Sequence, residues 1–333
     1  MEMKATVLLR DSRTHKEVKI TDTDKPVISQ QIIDKWQKVV NLMAKIVDIP
    51  AGLIMKINED NLEVLVRSEG KENPYKAGDS ENLGHGLYCE TVIGKNEGFF
   101  VENARQNKTW QDNPDIKLNM VSYYGLPLKW PDEEFFGTIC VLDNKAMKYS
   151  EMYRDLLIEF KQVIEKDLEV LCYQNLLVFY SEKDTLTTVY NRRKIEDYLE
   201  NEFKLSRRNH CPFSIMMIDI NKFKQINDQY GHQIGDKILT RFATAFNERI
   251  RSTDKFGRWG GDEFLLICPN TPIEGMYKLI DKIYQSVVDE MSQVVQNHGF
   301  CFGLSESDER DESFQSILKR ADLELYKNKK NTA

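Results

Sequence analysis

At 333 residues with 41% hydrophobic side chains, the chain is long enough for two globular cores rather than one. A formal net charge of −7 argues against broad binding to a nucleic-acid polymer, although a nucleotide needs only a local basic site. No apolar run approaches the roughly eighteen residues of a membrane span, and Met1 to Lys19 is too charged for a secretory signal, so a cytoplasmic protein is expected. Six cysteines (Cys89, Cys140, Cys172, Cys211, Cys268 and Cys301) lack C-x-x-C spacing and read as reduced core residues.

Residues 1–28 form a polar arm with short β-prone pieces at Ala5 to Leu9 and Val18 to Ile20, ending just after Asp24-Lys25-Pro26. From Ser29 to Val47, Ile32, Ile33, Trp36, Val39, Val40, Leu42, Met43 and Ile46 recur at helical spacing and predict an amphipathic helix. Strands follow at Pro50 to Ile57 and Glu63 to Ser68, joined by a turn at Asn58 to Asn61. After a long polar segment (Gly70 to Gly86), Leu87 to Ile93, Gly98 to Val101, Asn119 to Trp130 and Phe135 to Asp143 supply further apolar runs. Helix, two strands, a variable region and more strands suggest an α+β antiparallel-sheet domain.

The Gly-x-Pro-Leu run at Gly125 to Leu128 and the strand Phe136-Gly-Thr-Ile-Cys-Val-Leu-Asp143 give residues 29–172 a resemblance to GAF sensor domains. That resemblance implies a pocket, for which Tyr88, Trp110, Tyr123, Phe136 and Thr138 are candidates, and most of them would serve equally well as core. A bilin or haem is not expected: Cys89 has no adjacent histidine, and His85 is the one histidine of the segment. A cyclic nucleotide or a small metabolite is the expected ligand.

Between 150 and 183 two adjacent heptad stripes run along one predicted helix: Leu157, Ile164, Leu171 and Val178 beside Leu156, Val163, Val170 and Leu177. One stripe can pack on the sensor sheet while the other meets the same helix of a second chain, giving a parallel homodimer. A monomeric helix folded back on its own domain is the alternative.

Over 184–333, Ser214 to Ile220 is an apolar run that ends in an acid, Asp219, as expected for a central strand delivering a side chain at its carboxyl end. Further on, Gly260-Gly261 between apolar stretches signals a hairpin with a two-residue turn at positive φ, followed by Asp262 and Glu263. Taken alone, this is equally a hairpin with a solvated acidic tip. Carboxylates at the mouth of a buried sheet call for a cation, and hard oxygens suit Mg²⁺.

With Asp184-x-Leu-Thr at the entry, Asp219, and Gly-Gly-Asp-Glu-Phe at 260–264 in order and spacing, this half resembles the GGDEF family of diguanylate cyclases. The resemblance implies an α/β domain with a central mixed sheet that condenses two GTP into cyclic di-GMP and two pyrophosphates across a dimer. Two Mg²⁺ would be held by Asp219, the Ile220 carbonyl, Asp262 and Glu263, with Asp262 and Glu263 catalytic. Phe223, Lys224 and Lys329 fall on phosphate-contacting positions, Asn227 and Asp236 on guanine-binding ones, and Arg251 and Asp254 on a product-inhibition site. There are departures: Thr188, Val189, Asn221 and Cys301 replace commoner residues, and the chain continues Lys330-Asn331-Thr332-Ala333 where relatives carry an arginine. The rival reading is a non-catalytic receptor for GTP or cyclic di-GMP.

Overall fold

Strict apolar alternation at Asn61–Arg67 and unbroken burial at Phe135–Asp143 mark an outer and a central position in one sheet. In the computed structural model, which describes residues 3–21, 23, 25–296 and 298–332 (side chains to 330), that sheet lies in the first of two compact units, Met1–Asn175 and Leu176–Ala333. Its elements are β1 (Lys4–Leu9), β2 (Thr14–Lys19), α1 (Gln30–Val47), β3 (Ala51–Ile57), β4 (Asn61–Arg67), β5 (Ser80–Asn82), α2 (Tyr88–Lys95), β6 (Phe99–Val101), β7 (Ser122–Lys129), β8 (Phe135–Asp143) and α3 (Glu151–Glu182), which ends in the second unit.

The six strands run β5-β4-β3-β8-β7-β6, every pair antiparallel. One face packs on α1 and α3 through Trp36, Val40, Phe136, Leu157, Ile164 and Leu168. The other face packs on α2 through Val92, Ile93 and Tyr123. The arm is an antiparallel hairpin whose Val7, Val18 and Ile20 are buried in that second core, with Ile20 bridging to Phe135. Asp24, at its expected end, lies outside the described residues.

Along α3, Leu157, Ile164 and Leu168 are buried, whereas Val163, Val170 and Leu177 are 40%, 42% and 68% exposed. The covered stripe holds only for the first half of the helix: Leu157 and Ile164 are buried, with Leu168 outside both stripes, whereas Leu171 is half-buried and Val178 is 55% exposed. Of the other stripe, Leu156 packs on the core and the rest is open to solvent. Four of the cysteines are buried as expected, but Cys172 is half-buried and Cys211 exposed, because the latter follows the helix-terminating His210 in a surface turn.

The second unit comprises α4 (Arg192–Asn209), β9 (Ser214–Ile220), α5 (Phe223–Tyr230), α6 (His232–Asn247), β10 (Lys255–Arg258), β11 (Glu263–Cys268), α7 (Ile273–Ser292), β12 (Phe300–Glu306) and α8 (Phe314–Thr332). The sheet order is β10-β11-β9-β12. The expected mixed sheet is corrected: all three strand pairs are antiparallel, and among the described residues the parallel element in it is the single bridge Tyr190–Gly257. Helices cover both faces, which is why β9 is buried at all seven positions: α6 and α7 line one side with Phe242, Phe246 and Ile280, and α4 and α8 line the other with Leu199 and Ile317. Among the described residues no helix is long and apolar enough to cross a membrane.

Candidate active site and a second cavity

Antiparallel register places Asp219 of β9 directly opposite Glu263 of β11, with Cys301 of β12 on its other side. The Ile220 N–H donates to the Asp262 carbonyl at 3.3 Å, so the acidic pair is knitted to the end of the central strand. Burial raises the Asp219 carboxyl above its ordinary value; Lys329 opposes that shift, and the Asp262 and Glu263 charges add to it. Lys329, near the end of α8, donates to Asp219 Oδ2 at 2.6 Å. Among the described residues, no three His, Cys, Asp or Glu side chains converge closely enough to hold a metal ion. The lysine ammonium is the cation on Asp219 here.

The hairpin turn differs from expectation. Pairing of Arg258 with Phe264 and the Trp259 N–H bond to the Glu263 carbonyl (2.8 Å) leave three residues, Gly260 to Asp262, at the tip. Neither glycine has φ in the left-handed region, because the longer loop closes without it. What the glycines provide is room: a Cβ on Gly260 would lie 3.0 Å from Glu263 Oε2, and one on Gly261 would project into open space.

Arg258, which the motif reading passed over, organises this turn. Its guanidinium donates to the Gly260 carbonyl (3.2 Å), to the Gly261 carbonyl (2.7 Å) and to Asp184 (3.1 Å). Burial works against the Asp184 charge, but the Thr187 hydroxyl and N–H and the Arg258 guanidinium hold its carboxyl below the usual range. Trp259, next in sequence, lies under the Arg192 guanidinium at 4.8 Å.

Asn227 and Asp236 sit on α5 and α6, which reverse at Gly231 (φ 83°). The Asn227 Oδ1 is buried without a hydrogen-bond partner among the described residues and packs so closely on Gly235 that a Cβ there would lie 2.0 Å away. Asn227 is half-buried and Asp236 exposed. Half-buried Phe223 and exposed Lys224 form the first turn of α5, after Lys222 in a left-handed conformation. The signal for Gly235 was in the sequence, as Gly-His-Gln-Ile-Gly-Asp, but glycine types do not announce a partner.

Arg251 and Asp254 lie at the end of β10 away from the Gly-Gly turn. They close on each other: the Arg251 N–H donates to Asp254 Oδ2 at 3.0 Å, and the Asp254 N–H to the Arg251 carbonyl at 3.0 Å. Asp254 is buried and Arg251 exposed. Positions 331–333, where the family resemblance implied an arginine, lie outside the described side chains.

The first unit holds a cavity of about 590 Å³ between β3, β4 and β8, α2 and the 114–118 turn. Of the five residues expected to line a pocket, Tyr123 does so. Tyr88 stacks on Tyr123 at 4.7 Å and Trp110 on Tyr88 at 4.9 Å, behind the cavity wall. Phe136 is corrected to the core on the opposite face, with Trp36 and Trp130. The register shifts between Leu128 and Lys129, which pair with Gly137 and Phe135, so Phe136 is the extra residue of an irregularity that breaks the alternation carried by Cys140 and Leu142. Thr138 is fully buried and does not reach the cavity. Sequence reading missed Tyr75 and Asp115, which lie 40 residues apart and meet at 2.7 Å, Tyr75 Oη donating. Asp115 keeps part of its surface accessible, yet burial pushes its carboxyl up to about 6; the Tyr75 bond opposes this and Glu81 adds to it.

The family described as diguanylate cyclase, GGDEF domain, matches residues 181–333. The chain is 31% identical over 254 residues to diguanylate cyclase DgcP of Escherichia coli K12, covering 73% of this chain and 74% of that one. A diguanylate cyclase of Vibrio cholerae is 36% identical over 149 residues, 44% of this chain and 46% of that one. Thus the chain spans about three quarters of the first of these relatives and less than half of the second. A solved structure of the coiled coil and GGDEF domain of DgcB from Caulobacter crescentus, in complex with c-di-GMP, shares 20% identity over 55% of this chain and 96% of that one, with a TM-score of 0.46. With the family match over residues 181–333 and 31% identity to DgcP over 73% of this chain, the chain belongs to the GGDEF family of diguanylate cyclases.

Proposed function

We propose that the second unit condenses two GTP into cyclic di-GMP and two pyrophosphates. The observation that carries this reading is the cross-strand pairing of Asp219 with Glu263 beside a bare glycine turn. In each of two equivalent steps the 3′-oxygen of one GTP attacks the α-phosphorus of the other. The new P–O bond forms as the bond to the β-phosphate oxygen breaks, and pyrophosphate leaves with that electron pair. Glu263 accepts the hydroxyl proton.

The donor types suit Mg²⁺, namely the Asp219, Asp262 and Glu263 carboxylates and the Ile220 carbonyl, which would have to draw together around the ion. Burial, with the Asp262 and Glu263 charges adding to it, raises Asp219 against the opposing Lys329. Two bound Mg²⁺ would supply charge neutralisation for the triphosphate and acidify the attacking hydroxyl. Lys329 is then freed from Asp219 to meet phosphate, with Lys224 and the backbone at Phe223 beside it. Asp236 accepts from guanine N1–H and N2–H, and the NH₂ of Asn227 donates to O6. Arg251 and Asp254 serve product inhibition: Arg251→Ala should relieve inhibition by added cyclic di-GMP.

The first unit is proposed as a GAF-type regulator with its ligand in the 590 Å³ cavity, and α3 as the homodimer seam that brings two active sites together. The test is product formation by purified protein with GTP and Mg²⁺, resolved by chromatography. Cyclic di-GMP that disappears in Glu263→Gln, while GTP still binds, is expected. Tight GTP binding without product under any condition would favour a receptor.

A further inference from the structure

We propose that the cavity of the first unit takes a small protonated amine carried on an apolar or aromatic body. This inference rests on reading that unit as a ligand-binding regulator, and it names the class of ligand.

The cavity has the size of small-molecule sites, which run from about 300 to 1,000 Å³. Its floor is aliphatic, with Leu53, Met55, Leu62, Val64 and Leu142 supplied by the sheet. That surface accepts a hydrocarbon or ring and nothing charged. Polar groups gather elsewhere on the wall, and their signs are unequal: Asp79, Glu81 and Asp115 stand against one lysine, Lys117, which is exposed. Asp79 already accepts from the Lys76 N–H, and Glu81 meets His85 Nδ1 at 2.8 Å.

Asp115 is different. Tyr75 serves one of its oxygens, and among the described residues no lysine or arginine pairs with it. A carboxylate set into a protein wall is costly unless a cation or several donors compensate it. Among the described residues nothing does so here beyond the Tyr75 hydroxyl, and the uncompensated oxygen belongs to a residue that lines an apolar cavity. A ligand whose ammonium reaches Asp115 while its body lies on the aliphatic floor supplies the missing charge. An anionic ligand, a cyclic nucleotide phosphate included, would bring like charge to Asp115 and Glu81 with only Lys117 to offset it. That runs against the cyclic-nucleotide expectation.

The test is calorimetry on the full chain with four probes: 2-phenylethylamine, the neutral 2-phenylethanol, phenylacetate and cyclic AMP. The amine should bind at least tenfold more tightly than the alcohol, with no heat from either anion. Asp115→Asn, which keeps the shape of the side chain, should erase the tenfold preference, while Tyr75→Phe, which keeps the charge, should retain it. Circular dichroism of both variants confirms that they fold. Equal affinity for amine and alcohol, or tighter binding of phenylacetate or cyclic AMP, overturns the ligand class while leaving the regulatory cavity standing. Heat from none of the four up to millimolar concentration overturns the amine and the regulatory cavity together.

Discussion

Arg258 ties Asp184, just past the end of the long helix, to the carbonyls of the Gly260-Gly261 turn: 3.1 Å to the carboxylate and 2.7 Å to the Gly261 oxygen. The acids that follow those glycines are placed by a turn whose shape this guanidinium sets. Arg258→Ala should therefore lower kcat by about 10- to 100-fold, since small misplacements of reacting groups cost on that order. KM for GTP should change little. Arg258→Lys, with one point charge in place of a planar fork, should recover only part of the rate. Steady-state kinetics on the three proteins would check this, and an unchanged kcat in Arg258→Ala would refute it.

Gly235 is a second position where shape governs a functional side chain. A methyl group there would lie 2.0 Å from Asn227 Oδ1, so Gly235→Ala must push the Asn227 amide aside. KM for GTP should rise roughly tenfold and stability should fall by about 1–3 kcal/mol, the usual cost of overpacking. Discrimination between GTP and ITP, which lacks the 2-amino group, should remain through Asp236. Denaturant melts and kinetics with both nucleotides test the two parts separately.

Much of this arrangement was legible in the sequence because it is carried by period and spacing. The run from Ser214 to Ile220 could only be a buried strand, and an acid at its end had to meet the hairpin acids if the two strands were neighbours. The heptads of α3 were legible in part: Leu157 and Ile164 are buried and Val163, Val170 and Leu177 exposed, but Val178, expected on the covered stripe, is exposed. What stayed hidden depends on contacts between distant positions. Register decides that Asp219 faces Glu263, and loop length decides that Gly260 and Gly261 need no positive φ. A break in strand alternation, where the register skips Phe136 between Gly137 and Phe135, decides that Phe136 faces away from the cavity. Tyr75 and Asp115 looked like ordinary loop residues, because nothing local distinguishes a carboxylate that will be enclosed from one that will be solvated.

Lys329 compensates Asp219 in this structure and is proposed to serve phosphate in the substrate complex. Lys329→Ala should raise KM for GTP about tenfold, on the scale of one charge-assisted contact. Lys329→Arg should restore most of the affinity. An unchanged KM in the alanine variant would show that the lysine belongs to the resting site alone.

The Asp115 carboxyl, raised to about 6 from an ordinary 3.8, makes a stability prediction whose sign can be worked out. The folded state holds this proton more tightly than the unfolded state. Stability contributed by the protonated form is present below about pH 4 and is lost as pH rises through about 6. The groups facing it are Tyr75, Glu81, Asp79, His85 and Lys117. Asp115→Asn should remove this pH dependence and stabilise the protein at pH 7 by about 1–3 kcal/mol. Thermal melts from pH 4 to 8 on both proteins would reveal it; a less stable asparagine variant at pH 7 would mean that the carboxylate is compensated after all.

The exposed stripe of α3 allows the homodimer to be tested without disturbing either core. Val170 and Leu177 are 42% and 68% exposed in the single chain. Replacing both by glutamate should leave monomer stability within about 0.5 kcal/mol, as surface substitutions do. In a dimer the same changes would bury like charges against each other along the heptad seam, and the complex should dissociate. Light scattering after size-exclusion chromatography should show a dimer for the parent chain and a monomer for the double variant. The rate of cyclic di-GMP formation should fall at least tenfold and become dependent on protein concentration, because two GTP-loaded sites must then meet by diffusion. A parent chain that is monomeric and active at nanomolar concentration would instead place the stripe outside any dimer seam.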